Sequence, residues 1–257
     1  MKKEIVEDLA EPGGKLRLFV ESALSEGVRF LLSPPHFHYL LRVMRAGIGD
    51  RVSVFNGTDG EWRARIASIT KRDCELVCET PVAPQAGVPD LWLVFAPIKR
   101  TPADYVTQKA TELGVSALYP VITHRTIARR VNTERMRANA IEAAEQSGRL
   151  TVPAIHEPVD LMKCLATWPP ERRLVFCDEG GDVPPMAEAL SRDTLPSTSW
   201  AILIGPEGGF DDEERAAIRS HPFALAVGLG PRIMRADTAA LAALSLWQSI
   251  KGDWPGV

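Results

Sequence analysis

From residue 91 onward the chain alternates short apolar runs with helical segments, and this rhythm constrains the fold more than any other feature. The runs lie at 91–97, 117–122, 174–177, 201–204 and 224–227. Thr101-Pro102 opens one intervening helix and Gly114 ends it. Another helix spans 133–147. Asp211-Asp212-Glu213-Glu214 begins a third, with Asp211 and Glu214 at capping-box spacing and acids against the positive helix end. A last helix starts near Asp237-Thr238 and runs to about Ile250. Alternation of this kind implies an α/β domain, a mainly parallel sheet with helices on both faces. Ligands of such sheets bind in the loops after the carboxyl ends of the strands.

The first 80 residues have a different texture. Ser33-Pro34-Pro35 reads as a helix start, with Ser33 as N-cap, and a short helix follows from Pro35 to about Met44. Ala46-Gly47-Ile48-Gly49-Asp50 breaks it. Arg51-Val52-Ser53-Val54-Phe55 alternates as a strand, Asn56-Gly57-Thr58-Asp59-Gly60 is a hairpin turn, and strands follow at 62–69 and 74–79. Hairpin-linked strands with one small helix suggest a compact β-barrel. The Pro/Gly-rich segment 80–89 reads as the linker, which gives domains at 1–80 and 90–257.

The 257 residues are 45% hydrophobic and 25% charged, ordinary for a soluble protein with a real core. No apolar run approaches the roughly 18 residues of a membrane span, and the charged opening Met1-Lys2-Lys3-Glu4 does not resemble a signal peptide. Four scattered cysteines, Cys74, Cys78, Cys164 and Cys177, fit a reducing, cytoplasmic setting. The net charge of −3 argues against nucleic acid until its distribution is considered. Residues 99–149 carry 9 basic and 5 acidic side chains, net +4, whereas residues 150–257 carry 9 and 15, net −6. The positive segment includes Arg125, Arg129, Arg130, Arg135, Arg137 and Arg149. A local basic patch binds phosphate whatever the global sign. A solvated helix face would have the same composition.

Two strand ends carry the sharpest signals. Ile202-Leu203-Ile204-Gly205-Pro206-Glu207-Gly208-Gly209-Phe210 is an apolar strand, a Gly/Pro loop and then a helix start. It is neither a phosphate loop nor a dinucleotide fingerprint, because Gly-Lys-Ser/Thr and Gly-x-Gly-x-x-Gly are absent. Val227-Gly228-Leu229-Gly230-Pro231-Arg232-Ile233-Met234-Arg235-Ala236-Asp237-Thr238 repeats the arrangement at the next strand and adds two arginines. Similar loops at consecutive strand ends suggest one pocket, in which a branched residue at Gly205 or Gly230 would exclude a ligand while leaving the fold intact. A tight strand-to-helix turn alone would also account for either loop. Glu145, Gln146 and Arg149 fall within about one helical turn and can share a site, or simply form an i, i+4 ion pair. His36-Phe37-His38-Tyr39-Leu40-Leu41-Arg42-Val43-Met44-Arg45 mixes aromatic and basic groups on a short helix, which suits RNA contacts; a lone amphipathic helix packed on a barrel would show the same pattern. No Cys/His/carboxylate set completes a metal site around His36 and His38, so no metal is expected.

Taken in order, these segments resemble the RsmE family, the 16S ribosomal RNA uracil-N3 methyltransferases of the SPOUT superfamily. The resemblance extends through Gln108-Lys109-Ala110-Thr111-Glu112-Leu113-Gly114-Val115 and covers nearly the whole chain. Asp237, where the family more often has Glu, is a mild departure. The resemblance implies a PUA-like β-barrel followed by a SPOUT-type domain with a C-terminal trefoil knot, a homodimer, and S-adenosyl-L-methionine bent into the knot loops. On this reading the cofactor residues are Leu203, Ile204, Gly205, Glu207, Gly209, Leu229, Gly230, Ile233, Met234, Thr238 and Ala239. The RNA contacts are His38, Arg42, Arg45, Arg125, Arg129 and Arg130. The implied partner is 16S rRNA, within the small ribosomal subunit. Uracil N3 is mostly protonated at neutral pH, so methylation there needs its proton removed and the charge on the uracil oxygens stabilised. Glu145 is the candidate for the first role; Arg149 and Arg235 are candidates for the second. Ribose 2′-O methylation and a non-catalytic RNA-binding module are the competing readings.

Overall fold

A computed structural model of the chain describes residues 16–98, 100–128, 130–180, 182–195 and 197–255. The charged opening segment and Arg129 lie outside the described residues. The chain divides into two compact units: the part up to Gly87 together with Ala144–Val152, and Val88–Ala143 together with the part from Pro153 on.

The first unit is built on a five-stranded mixed sheet. Its elements are β1 (Arg17–Phe19), β2 (Arg29–Leu31), α1 (Pro34–His38), β3 (Arg51–Phe55), β4 (Glu61–Ile69) and β5 (Cys74–Ala83), in the sheet order β1-β3-β4-β5-β2. Only the β1–β3 pairing is parallel. Among the described residues the end strands β1 and β2 do not pair with each other. Ser33 caps α1 as its sequence predicts, but the helix changes after one turn into a π-helical segment, Tyr39–Val43, that buries Leu40 completely. The β3–β4 turn is held by the Asn56 side chain, which accepts from the Thr58 and Asp59 N–H groups at 3.0 and 2.9 Å. β5 extends through Pro81 to Ala83, into the segment expected to be a linker. Register shifts in the β4–β5 ladder accommodate a proline that cannot donate to it.

The segment 144–152, expected in the second domain, clusters with this first unit. Ala144 and Leu150 pack with Phe55, and Arg17 adds polar ties. Its guanidinium pairs with Glu61 at 3.0 Å and lies over the Phe55 ring, 4.6 Å from the centroid. It also donates to the carbonyls of Ala144, Glu145 and Arg149 at 3.0, 3.2 and 3.0 Å. Carbonyls at a helix end have no partner within the helix, so a side-chain donor there meets a real need.

The second unit is an α/β layer structure. Its strands are β6 (Asp90–Phe95), β7 (Ala117–Ile122), β8 (Ala154–Ile155), β9 (Val159–Asp160), β10 (Arg173–Cys177), β11 (Ser199–Ile204) and β12 (Ala224–Val227). The order is β12-β10-β11-β6-β7-β8, with β9 also on β7, and every pairing is parallel. The helices are α2 (Arg100–Glu112), α3 (Thr133–Gln146), α4 (Leu161–Ala166), α5 (Met186–Arg192), α6 (Asp212–Ser220) and α7 (Ala236–Ile250). The period-2 alternation of the strands splits the interior into two cores. Leu91, Leu93, Val175, Ile202 and Ile204 face α2, α5 and α7, which contribute Val106, Leu190, Leu244 and Trp247. Val94, Leu174, Phe176, Ala201 and Leu203 face α4 and α6, which contribute Leu161, Leu165 and Ile218. On α7, Ala240, Ala243, Leu244 and Trp247 are buried in this core, while Leu241, Leu246 and Ile250 are only half-buried against it. No helix among the described residues is long and apolar enough to cross a membrane.

The predicted capping box of α6 is present. Asp211 Oδ1 accepts from the Glu214 N–H at 2.8 Å, and Glu214 Oε2 accepts from the Asp211 N–H at 3.1 Å. The remaining carboxylate oxygens take the loop after β7. Glu214 Oε1 accepts from the His124 N–H at 2.8 Å, and Asp211 Oδ2 pairs with His124 Nδ1. These three side chains are close enough to hold a cation, but all four carboxylate oxygens are already engaged by the cap and by His124.

The hydrogen bond that the ring donates to Asp211, reinforced by the carboxylate's charge, raises the His124 pKa above the usual 6.5. The backbone N–H of Glu214, and then His124, hold Asp211 below the usual 3.8. The histidine contribution is complete below 6.5 and is lost as pH rises through its raised value. The aspartate contribution is complete above 3.8 and is lost as pH falls through its depressed value. The junction is therefore strongest between these limits. An NMR titration of the His124 ring should give a midpoint above 6.5 that falls in Asp211→Asn; an unchanged midpoint in the variant would show that Asp211 is not the cause.

Candidate functional site

A cavity of about 670 Å³ opens at the carboxyl ends of β10, β11 and β12. That volume lies within the ordinary range for small-molecule sites. Its walls are three loops. The loop after β11 contributes Ile204, Gly205, Pro206, Glu207 and Gly209, and the loop after β12 contributes Gly228 through Ala236, with Ala239 from α7. These are the two loops singled out from the sequence. In the sheet their strands are not neighbours, because β10 runs between them. The loop after β10 is the third wall and supplies Asp178, Glu179, Val183 and Pro185. Sequence reasoning missed it. The signal was present, since Asp178-Glu179-Gly180-Gly181-Asp182-Val183-Pro184-Pro185 has the same strand-then-Gly/Pro texture as the other two.

The third loop is fixed by a buried charge. The Asp178 side chain is 0% exposed. Arg219 donates to its Oδ2 from Nε and Nη2 at 2.9 and 2.7 Å, and Arg215 Nε lies 3.4 Å from Oδ1. The Gly180 N–H donates to Oδ1 at 3.0 Å. Both arginines belong to α6, the helix that follows the β11 loop, so one carboxylate ties two walls of the pocket together. Cys177, at the end of β10, is no nucleophile: burial, with the Glu179 charge, pushes its thiol up to about 12.

Nine of the eleven expected cofactor residues line the cavity: Ile204, Gly205, Glu207, Gly209, Leu229, Gly230, Ile233, Met234 and Ala239. Leu203 and Thr238 do not. Leu203 alternates with Ile204 and packs into the opposite core. Thr238 is exposed on the first turn of α7, where its N–H donates to Asp237 Oδ1 at 2.8 Å. The N-cap position of α7 is Arg235, which makes no side-chain cap bond and lines the cavity instead. Ile233 is 90% exposed at the rim.

The remaining expected residues are placed as follows. Arg125 is exposed and donates to the Gly208 carbonyl at 2.8 Å, bracing the β11 loop; Arg130 is exposed. His38, Arg42 and Arg45 are exposed on the first unit beside exposed Tyr39 and Val43, and Arg45 adopts a positive φ of 57°. Glu145 Oε1 accepts from the Phe19 N–H at 2.9 Å and lies 3.1 Å from His36 Nε2. Arg149 Nε donates to the carbonyl and hydroxyl of Thr151 at 2.6 and 3.1 Å. Both belong to the 144–152 segment of the first unit.

The two glycines expected to behave alike do not. A Cβ on Gly205 would meet the buried Phe210 ring at 2.6 Å, whereas Gly230, at φ +112°, has open space around it. Gly205→Val should cost about 1–3 kcal/mol in urea unfolding by overpacking the core. Gly230→Val strains an exposed loop that can yield, and should cost less while reshaping the cavity wall. Equal unfolding midpoints for the two variants would contradict this.

The site's architecture has close counterparts. Residues 86–248 match the RNA methyltransferase domain model, and residues 32–78 match the RNA methyltransferase PUA domain model. The ribosomal RNA small subunit methyltransferase E of Rickettsia conorii is 32% identical over 230 residues, covering 89% of this chain and 93% of the relative. The crystal structure of the Neisseria gonorrhoeae ribosomal RNA small subunit methyltransferase E bound to S-adenosyl methionine is 28% identical. It has a TM-score of 0.83 and covers 93% of this chain and 99% of that one. A Legionella pneumophila putative methyltransferase solved with bound SAM is 27% identical, also at TM-score 0.83, covering 96% and 100%. The PUA-like first unit and the SPOUT-like parallel sheet of the expected fold class are thus met. With a family model over 86–248 and a 32% identical relative matched over 93% of its own length, the chain belongs to the ribosomal RNA small subunit methyltransferase E family.

Proposed function

We propose that this protein methylates N3 of a uridine in 16S ribosomal RNA with S-adenosyl-L-methionine as donor. The observation that carries the reading is the convergence of three glycine-bearing strand-end loops on one cavity, in a chain of this family. The residues fit such a ligand. Leu229, Ile233, Met234 and Ala239 offer apolar surface, and glycines at 205, 209, 228 and 230 open the backbone to close approach. Glu179, Glu207 and Arg232 offer polar partners. When bound, the donor supplies an electrophilic methyl on a sulfonium.

The chain's own part is to hold an unpaired uridine, remove its N3 proton and balance the charge left on the ring. Arg235, on the cavity wall, is the candidate for charge balance. Arg149 is a second candidate. The two hydrogen-bonding partners of Glu145 favour an anchoring role for that carboxylate over proton transfer. RNA binding falls to His38, Arg42 and Arg45 on the PUA-like unit and to Arg125, Arg129 and Arg130 on the other. The proposal includes the superfamily's trefoil knot, a homodimer that covers the exposed rim around Ile233, a cytoplasmic setting, and a substrate within the small ribosomal subunit.

Mass analysis of rRNA nucleosides from a strain lacking the protein should show loss of 3-methyluridine with ribose methylation intact. Retention of 3-methyluridine would overturn the proposal. In single-turnover assays Arg235→Ala should slow methyl transfer by about 10²–10³-fold, the range for removing one donor to a developing oxyanion. Arg235→Lys should recover only part, because a point charge does not replace a planar fork. A rate unchanged in Arg235→Ala would remove it from the reaction. Charge reversal at Arg130 should flatten the salt dependence of rRNA binding; an identical slope would leave that residue as solvated surface.

A further inference from the structure

We propose that Glu179 is the residue that reads the ribose hydroxyls of the methyl donor. This inference rests on the donor reading of the cavity. Neighbouring carboxylates on the β10 loop have opposite surroundings. Asp178 is closed off and satisfied by Arg219, Arg215 and the Gly180 N–H. The Glu179 side chain is 41% exposed on the cavity wall. Among the described residues its charged partner is Arg215, whose Nη2 lies 3.6 Å from Oε1, too far for a hydrogen bond. Among the described residues its carboxylate accepts no hydrogen bond. Arg215 thus balances the charge while leaving the acceptor capacity of both oxygens unused.

The seat of this carboxylate is built by its neighbour across the cavity wall. Glu179 Oε1 occupies the space where a Cβ on Gly209 would stand, and Gly209 itself has φ +68°. Any side chain at 209 would be strained and would also displace Glu179. The glycine therefore serves the carboxylate as well as the turn. The loop after β10 lies in the sheet between the two glycine-rich loops, so Glu179 is central among the three walls.

A carboxylate offers two acceptor oxygens side by side, and a ribose offers two vicinal O–H donors. Parallel-sheet nucleotide sites use this match, with an acidic residue at one strand end and a glycine-rich loop at another. Arg232, on the loop after β12, lines the same cavity and is the cation available to the donor's amino-acid carboxylate. Glu207, on the loop after β11, is the anion available to its ammonium. Glu179 then remains for the nucleoside.

Titration calorimetry with S-adenosylhomocysteine and its 2′-deoxy and 3′-deoxy analogues tests this without any turnover. Glu179→Ala should weaken S-adenosylhomocysteine binding by about 10–100-fold, as expected for hydrogen bonds to a charged group. Glu179→Gln, which keeps one acceptor, should fall between. For the wild type, at least one deoxy analogue should bind about tenfold more weakly than the parent. In Glu179→Ala that difference should disappear. An affinity unchanged in Glu179→Ala would overturn the inference. So would an equal loss for parent and deoxy ligands, because Glu179 would then act only by shaping the loop. If the wild type binds neither S-adenosylmethionine nor S-adenosylhomocysteine, the donor reading fails, and this inference falls with it.

Discussion

The Asp178 carboxylate is the interaction on which the cavity depends. A fully buried charge is tolerated only when paired and hydrogen-bonded, and removing one partner leaves an uncompensated ion. Here the partners come from α6, while the carboxylate sits at the end of β10. Strand β10 is buried along its whole length between β11 and β12, so its end cannot drift. The pair Asp178–Arg219 transmits that rigidity to α6. Through the capping box of α6 it reaches Phe210 and the glycine loop just before it. His124 adds the loop after β7 to the same helix start. Three strand ends are thus fastened to one helix by charged and hydrogen-bonding groups, in addition to the apolar packing of Phe210 and Ile218.

Much of this was readable in the residue order. The five apolar runs are five strands of the parallel sheet. Each is short and flanked by helix signals, a pattern that local physics allows in few other folds. The Asp211/Glu214 spacing specified the start of α6 because a capping box is a purely local device. The glycine loops stood out for the same reason, since a backbone that must turn sharply or admit a ligand leaves a compositional trace.

What could not be read depends on contacts distant in sequence. Arg17 holds carbonyls about 130 residues away and draws 144–152 into the first unit; nothing local to Arg17 announces this. Glu145 looked like a partner of Arg149 at helical spacing, yet its carboxylate takes the Phe19 N–H. Leu203 and Ile204 adjoin in the chain, but strand alternation sends them to opposite cores. Thr238 and Ala239 adjoin as well, and helical rotation leaves only Ala239 on the cavity. The π-helical segment after His38 has no signature in propensity, because it arises from how Leu40 is drawn into the core.

Glu179 shows why the third wall was the hardest to see. Its loop has no single motif, and its chemistry is set by differences between neighbours. Asp178 and Glu179 are adjacent carboxylates of the same charge, one consumed by structure and one left with acceptors to spare. Part of the contrast lies in α6, whose Arg219 and Arg215 take the Asp178 carboxylate. Gly209 explains the rest, because the space it leaves empty is the space that Glu179 fills. A glycine retained for the sake of another residue's side chain looks in the sequence like any other turn glycine. Only the packed structure distinguishes a bend in the chain from a seat for a carboxylate.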